Sequence, residues 1–235
     1  MSNLTNIPKE LYGIDKAQWC EHAAEKGCLD VLQWARSHGA PWNHWTCTYA
    51  AANGHLECLR WARSNGAPWD KRTCTFAARD GHLECLRWAR SQGAPWDEQT
   101  CAYAAENGHL SVLQWARANG APWDHWTCTH AARCGNLKCL KWARSNGAPW
   151  SEWTSIWAAH NGHYDTLRWL IQNGVPISDR TIRPHNVIQC SGIAVSLLRT
   201  KHGTPLTNRI AKRFITTMYS IIPLIIPICD LIIDY

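Results

Sequence analysis

The ten residues Trp61-Ala62-Arg63-Ser64-Asn65-Gly66-Ala67-Pro68-Trp69-Asp70 return almost unchanged at 88–97, 115–124 and 142–151, with weaker copies at 34–43 and 169–178. Trp34, Trp61, Trp88, Trp115, Trp142 and Trp169 are each 27 residues apart, and so are Gly39, Gly66, Gly93, Gly120, Gly147 and Gly174. A fixed period of about 20–50 residues means one supersecondary unit stacked on copies of itself. No single copy can bury its apolar faces alone, so the stack supplies the core.

Each unit reads as two short helices. In the third copy Asp70 is a good N-cap, and Asn43, Asp97, Asp124, Ser151 and Ser178 fill the same column. The first copy has Lys16 there, with Asp15 one place early. A first helix, A, is predicted over Lys71 to Arg79, ended by Gly81 as a left-handed stop. Its Ala77-Ala78 pair recurs in every copy and lets a neighbouring helix approach closely. A second helix, B, is predicted over Leu83 to Ser91, with Leu83, Leu86 and Ala89 on one stripe and Cys85 and Trp88 beside it. Arg90 suits the C-terminal end of the helix dipole. Gly93 ends helix B, Pro95 prevents its continuation, and Trp96 turns back towards the core.

At this level the copies resemble ankyrin repeats. Ala77-Ala78-Arg79-Asp80-Gly81-His82-Leu83-Glu84-Cys85-Leu86 looks like the ankyrin helix–turn–helix, and Gly93-Ala94-Pro95-Trp96-Asp97 occupies the place of the family's exit segment. The period of 27 is shorter than the usual one of about 33, and the missing residues fall where the family carries its β-hairpin finger. The Thr-Pro-Leu-His signature is replaced by Thr-Cys-Thr-aromatic. The resemblance implies an all-α, α/α solenoid of about six repeats without hairpin fingers, closed by an irregular C-terminal cap. Similar Trp-rich arrays are familiar in large DNA viruses and protists. The expected organisation is a polar leader at 1–13, the array at 14–177, a degenerate terminal repeat at 178–205 and a hydrophobic tail at 206–235.

The bulk properties narrow the function. Of the formal charge of +6, residues 178–235 hold +4, with seven Lys/Arg against three Asp, so the array itself is close to neutral. That argues against a long basic groove for nucleic acid. The twelve cysteines do not read as a disulfide scaffold. Five of them (Cys20, Cys47, Cys74, Cys101, Cys128) share one column and three (Cys58, Cys85, Cys139) another, where other copies hold Ser155, Val31, Val112 or Thr166. Such columns want a small packing side chain, and free Cys serves as one. With no apolar core in Met1–Glu10 for a signal peptide, reduced thiols in a cytoplasmic or nuclear compartment are expected, a host cell's if the chain is viral.

Three constellations invite a chemical reading. The His55, His82, His109 and His163 column also accepts Cys28 and Asn136, so it reads as a small polar group bonding the start of helix B. Cys128, His130, Cys134 and Cys139 are dense enough for zinc, but two of them sit in core columns. Arg36, Arg63, Arg90, Arg117 and Arg144 run beside Trp42, Trp69, Trp96, Trp123 and Trp150. They read as helix ends and packing rather than as a stacking platform for bases. No phosphate loop, nucleophile elbow or metalloprotease motif is present, so neither catalysis, metal, cofactor nor small-molecule substrate is expected.

The copies also serve as their own comparison. Framework columns barely change, while the first turn of helix A, its aromatic column and its exit vary freely. Variation on a fixed scaffold fits a recognition surface, and exposed Trp favours an interface. The candidate partner-binding residues are therefore Trp45, Arg72, Gln99, Trp126, Trp153, Tyr49, Tyr103 and Trp157. Partners of ankyrin repeats bind the helix A side and the hairpins, which by resemblance leaves helix A here. The expected function is a monomeric, non-catalytic scaffold that binds a protein partner. The alternative is an adaptor attached to a membrane by residues 214–235. There the uncharged run Phe214–Cys229 is 16 residues long, short of the ~20 needed to span and interrupted by Pro223 and Pro227.

Overall fold

The computed structural model describes residues 7–177 and Thr181. The expected degenerate repeat and hydrophobic tail lie outside the described residues. Among the described residues there are twelve α-helices and no strand. In chain order they are α1 Trp19–Lys26, α2 Leu29–Ser37, α3 His44–Ala52, α4 Leu56–Ser64, α5 Lys71–Arg79, α6 Leu83–Ser91, α7 Glu98–Glu106, α8 Leu110–Ala118, α9 His125–Arg133, α10 Leu137–Ser145, α11 Glu152–His160 and α12 Tyr164–Gln172. The odd-numbered helices are helix A of each repeat and the even-numbered ones helix B. The chain divides into two compact units, Met1–Thr127 and Cys128–Tyr235.

In the first unit α1, α3, α5 and α7 pack side by side, and each also packs on its own helix B. The alanine pairs make this close layer possible: Ala23, Ala24, Ala50, Ala51, Ala77, Ala78, Ala104 and Ala105 are all buried. Helix B closes the core with Leu32, Leu59, Leu86 and Leu113, each 0% exposed. In the second unit α11 packs on α12, and Leu140 of α10 and Leu167, Leu170 and Ile171 of α12 are all buried.

Local chemistry sets the helix ends. The side chains of Asn43, Asp70 and Asp97 accept the N–H of Trp45, Arg72 and Gln99 at 2.7, 2.8 and 3.1 Å. Asp124 does the same for Trp126 at 2.9 Å. At the other end Gly81 and Gly93 hold φ of +84° and +83°, a region that costs an L-residue strain. In the first repeat Asp15 caps a 3-10 turn, Lys16–Gln18, before α1 begins.

The exit segment, where the hairpin finger is missing, is held by a clamp. The guanidinium of Arg36, Arg63, Arg90, Arg117 or Arg144 donates to the carbonyl of Ala40, Ala67, Ala94, Ala121 or Ala148 at 2.8–3.2 Å. The same guanidinium lies 4.2–4.4 Å over the ring of Trp42, Trp69, Trp96, Trp123 or Trp150. Each arginine thus fixes both the carbonyl and the ring after the turn, a fuller role than completing a helix end. Ile171 and Ile177 stand at the two clamp positions in the sixth repeat, so both halves are lost together. Exit tryptophans then meet helix B of the next repeat edge-on: Trp42–Trp61, Trp69–Trp88, Trp96–Trp115 and Trp150–Trp169 have ring centroids 5.9–6.2 Å apart. The first repeat uses a substitute. Trp19 packs on Trp34 at 5.5 Å, and its indole N–H donates to the Ile14 carbonyl at 2.9 Å. Residues expected to form a loose leader contribute as well, because the 3-10 turn Lys9–Leu11 packs on α1 with Leu11 1% exposed.

The histidine column departs from expectation. None of Cys28, His55, His82, His109, Asn136 and His163 makes a side-chain bond to the helix it precedes. The rings of His55, His82, His109 and His163 instead lie against Gly27, Gly54, Gly81 and Gly135 of the repeat before. His55 Nε2 also meets the Glu25 carbonyl at 3.1 Å. A methyl at Gly81 would stand 2.7 Å from His109 Cε1, whereas one at Gly93 would meet nothing within 4 Å. Gly81→Ala should therefore destabilise by about 2–3 kcal/mol, from left-handed strain plus the clash, and Gly93→Ala by about 1–2 from strain alone. Urea midpoints check this, and adding His109→Ala should bring the two glycine effects together.

Candidate functional site: the helix A surface

The first turn of helix A carries the most exposed aromatic side chains of the array. Trp126 is 41% exposed and Trp153 37%, each one residue into its helix after the N-terminal residue. The main-chain N–H of Trp126 donates to the Asp124 side chain at the start of its helix. Arg72 and Gln99 hold the same position and are exposed, while Trp45 is half-buried. Tyr49, Tyr103 and Trp157, one turn further on, are half-buried as well. Trp157 meets His160 edge-on, with ring centroids 5.6 Å apart.

The structure brings three of these residues into one cluster in the first unit. Trp45 stacks on Tyr49 at 5.3 Å and meets Phe76 of the next repeat edge-on at 6.0 Å. The Arg72 guanidinium lies 5.1 Å over Trp45, with Nη1 2.6 Å from His44 Nε2 and 3.6 Å from an Asp70 oxygen. Phe76 was not among the candidates, and neither was Arg79, whose guanidinium lies 4.2 Å over Phe76 and donates two bonds to Asp80 at 2.8 and 2.9 Å. The signal for Phe76 was present in the sequence, since it shares the column of Tyr49 and Tyr103.

The cluster is aromatic and cationic but balanced. Arg72 faces Asp70, Arg79 faces Asp80, and Lys71 Nζ lies 2.6 Å from an Asp97 oxygen. The bond to Asp80 raises the pKa of Arg79, and that to Asp97 raises the pKa of Lys71, so both cations are held more firmly. Exposed pairs of this kind add little to stability. Their effect is geometric: they help hold the guanidinium groups of Arg72 and Arg79 over the rings of Trp45 and Phe76.

Among the described residues no group of three His, Cys, Asp or Glu side chains comes together to hold a metal. Within the dense group Cys128 and Cys139 are buried and Cys134 is exposed, so they face different ways. Core thiols are occupied in packing and weak bonding: Cys20, Cys47, Cys74 and Cys128 point Sγ at the Ala40, Ala67, Ala94 and Ala148 carbonyls at 3.8–4.0 Å. Burial pushes the thiols of Cys47, Cys74, Cys101 and Cys128 up to about 12, opposite to what a nucleophile needs.

Comparison with known proteins agrees with the repeat geometry. The family model for ankyrin repeats in many copies matches residues 20–62 and 101–144, and that for a single ankyrin repeat matches 155–182. The chain is an ankyrin-repeat-like protein. Its fold is similar to the crystal structure of the human ASB11 ankyrin repeat domain, with a TM-score of 0.58 and 17% identity over 72% of this chain and 94% of that one. No curated protein matches. The ankyrin-like repeats keep the family's helix–turn–helix and do without its strands among the described residues, and in the first five of them the Arg–Trp clamp holds the exit segment. Ankyrin repeats are in general protein–protein interaction modules, and proteins built from them are in general non-catalytic scaffolds.

Proposed function

We propose that this protein is a non-catalytic binding scaffold whose partner is a protein docked on the helix A surface. The observation that carries the reading is the outward placement of Trp126 and Trp153 at one register position of the repeat, where Trp45 and Arg72 build an ordered aromatic–cationic cluster. Trp and Arg are both enriched among interface hot spots. The helix does not depend on tryptophan there: the same position accepts Arg72 and Gln99, each in a helix of nine residues.

The test is quantitative affinity capture with the wild-type chain and the Trp126→Ala/Trp153→Ala variant, followed by titration of the recovered protein. Loss of about 2 kcal/mol or more per hot-spot residue is expected, a fall of more than tenfold in affinity. Far-UV circular dichroism should be unchanged, since neither side chain is in the core. Undiminished binding by the helical double variant would remove the helix A assignment. Among the described residues no helix is long and apolar enough to cross a membrane. Residues 214–235 lie outside them, and membrane attachment through that segment is a separate reading. It requires co-sedimentation with vesicles that is lost when 214–235 is deleted.

A further inference from the structure

The outer face of helix B carries a charge pattern that changes sign in one repeat. In α4 and α6 an acidic residue in the first turn pairs with an arginine three residues on, Glu57 with Arg60 and Glu84 with Arg87, each at 3.4 Å. The acidic column reads Asp30, Glu57, Glu84, Ser111, Lys138, Asp165, and the column three residues later reads Gln33, Arg60, Arg87, Gln114, Lys141, Arg168. Only α10 is basic at both. Lys138 and Lys141 are exposed, and among the described residues neither is held in an ion pair.

The first of these is unfavourable for the helix itself. Lys138 lies in the first turn of α10, where the dipole favours an anion, and it stands i, i+3 from a like charge. Every other repeat avoids this arrangement. A local rule broken at Lys138, with no ion pair among the described residues to offset it, points to a contact outside the fold. The neighbourhood supplies more positive charge. Arg144 follows on the same helix, Arg168 stands one repeat on from Lys141, and Lys141 Nζ lies 6.0 Å over the half-buried Trp169 ring. Asp165 is the acidic residue in these two columns of the second unit.

We infer that the outer face of α10 and α12 is a second interaction surface, built for an acidic segment of a partner protein. It lies on the helix B side, apart from the helix A reading, and either can fail alone. The patch spans two helices and few cations. That suits a short run of Asp and Glu, whereas a nucleic acid would need a longer basic track than this near-neutral array offers.

Fluorescence anisotropy of a labelled octaglutamate peptide with the full chain tests the inference. Three arms accompany it: a single-stranded oligonucleotide, phosphatidylserine vesicles, and the Lys138→Glu/Lys141→Arg variant. That variant copies the Glu–Arg pair already present in α4 and α6, so it keeps the fold. Saturable peptide binding is expected, weakening with salt and falling about tenfold in the variant. Lys138→Arg/Lys141→Arg, which keeps the charge, should bind as the wild type does. No peptide binding, binding equally strong in the Lys138→Glu/Lys141→Arg chain (as the basic residues of 178–235 would give), or oligonucleotide or vesicle binding that exceeds peptide binding and is lost in that variant would each overturn the assignment.

Discussion

Raising the pH from 8 to 10.5 should unfold this protein, and its buried thiols are the cause. The thiols of Cys20, Cys58, Cys85 and Cys139 are pushed up to about 11, and those of Cys47, Cys74, Cys101 and Cys128 to about 12, by burial against an ordinary value of 9.0. A folded thiol therefore keeps its proton over a range in which an unfolded one gives it up. The stability linked to protonated thiols is present in full below pH 9 and is lost as pH rises towards the folded values of 11 and 12. By pH 10 each thiol has withdrawn roughly 1 kcal/mol, and the eight together on the order of 10, comparable with the whole stability of an ordinary domain. Thermal unfolding followed at 222 nm should show a steep fall in Tm above pH 9. Cys58→Val with Cys85→Val should flatten that fall by about a quarter, because the same column already accepts Val31 and Val112. A Tm that is flat to pH 10.5, or a slope unchanged by the two valines, would show that the thiols do not control alkaline stability.

The same columns show why so much of the fold was legible. Cysteine interchanging with serine at one register position, and with valine and threonine at another, marks two small buried sites, and the structure buries Cys47, Cys74 and Ser155 at the first and Cys58, Val112 and Thr166 at the second. Helix ends were equally legible. Caps and breakers act locally, so Asp70, Gly81, Leu83 and Gly93 sufficed to bound Lys71–Arg79 and Leu83–Ser91, the limits that α5 and α6 have. What one copy could not reveal are contacts that cross the period. The histidines stand next to the helix they precede in sequence, yet His82 and His109 lie against Gly54 and Gly81 of the repeat before. Trp19 occupies a threonine column, and its role as a substitute exit tryptophan depends on its reach towards Trp34.

The candidate surface was legible to a lesser degree for a related reason. Free variation in the first turn of helix A marks positions released from packing, and Arg72, Gln99, Trp126 and Trp153 are exposed there. Variation does not give side-chain direction. Trp45 shares the register of Trp126 but folds down onto Tyr49 and Phe76, because a phenylalanine one repeat on offers its ring a face. Residues that gain function by leaning on a neighbouring copy, such as Phe76 and Arg79, stand out only when the copies are stacked.

Leu86→Ala should be the most damaging single truncation in the first unit. Leu86 is 0% exposed in α6, and its column, Leu32, Leu59, Leu86, Leu113, Leu140 and Leu167, is fully buried throughout. Removing a buried leucine side chain costs about 2–5 kcal/mol, and the amount depends on how far the surroundings collapse into the space. Here they collapse little. The layer beneath is built from Ala77, Ala78 and Ala89, which have no rotamers to swing inward, and from Cys74 and Cys85, which are nearly as short. The expected loss therefore lies in the upper half of that range, roughly 3–5 kcal/mol, and lowers Tm by about 6–20 °C for an array of this size. Leu83→Ala, one turn earlier and half-buried, should cost about half as much. A loss at Leu86 below about 1.5 kcal/mol would mean that the alanine layer does close up and that repeat spacing is softer than the helix A packing implies. Below the lowered Tm the Leu86→Ala chain should still bind a helix A partner with wild-type affinity, since the core column and the exposed first-turn column share no side-chain contact that binding needs.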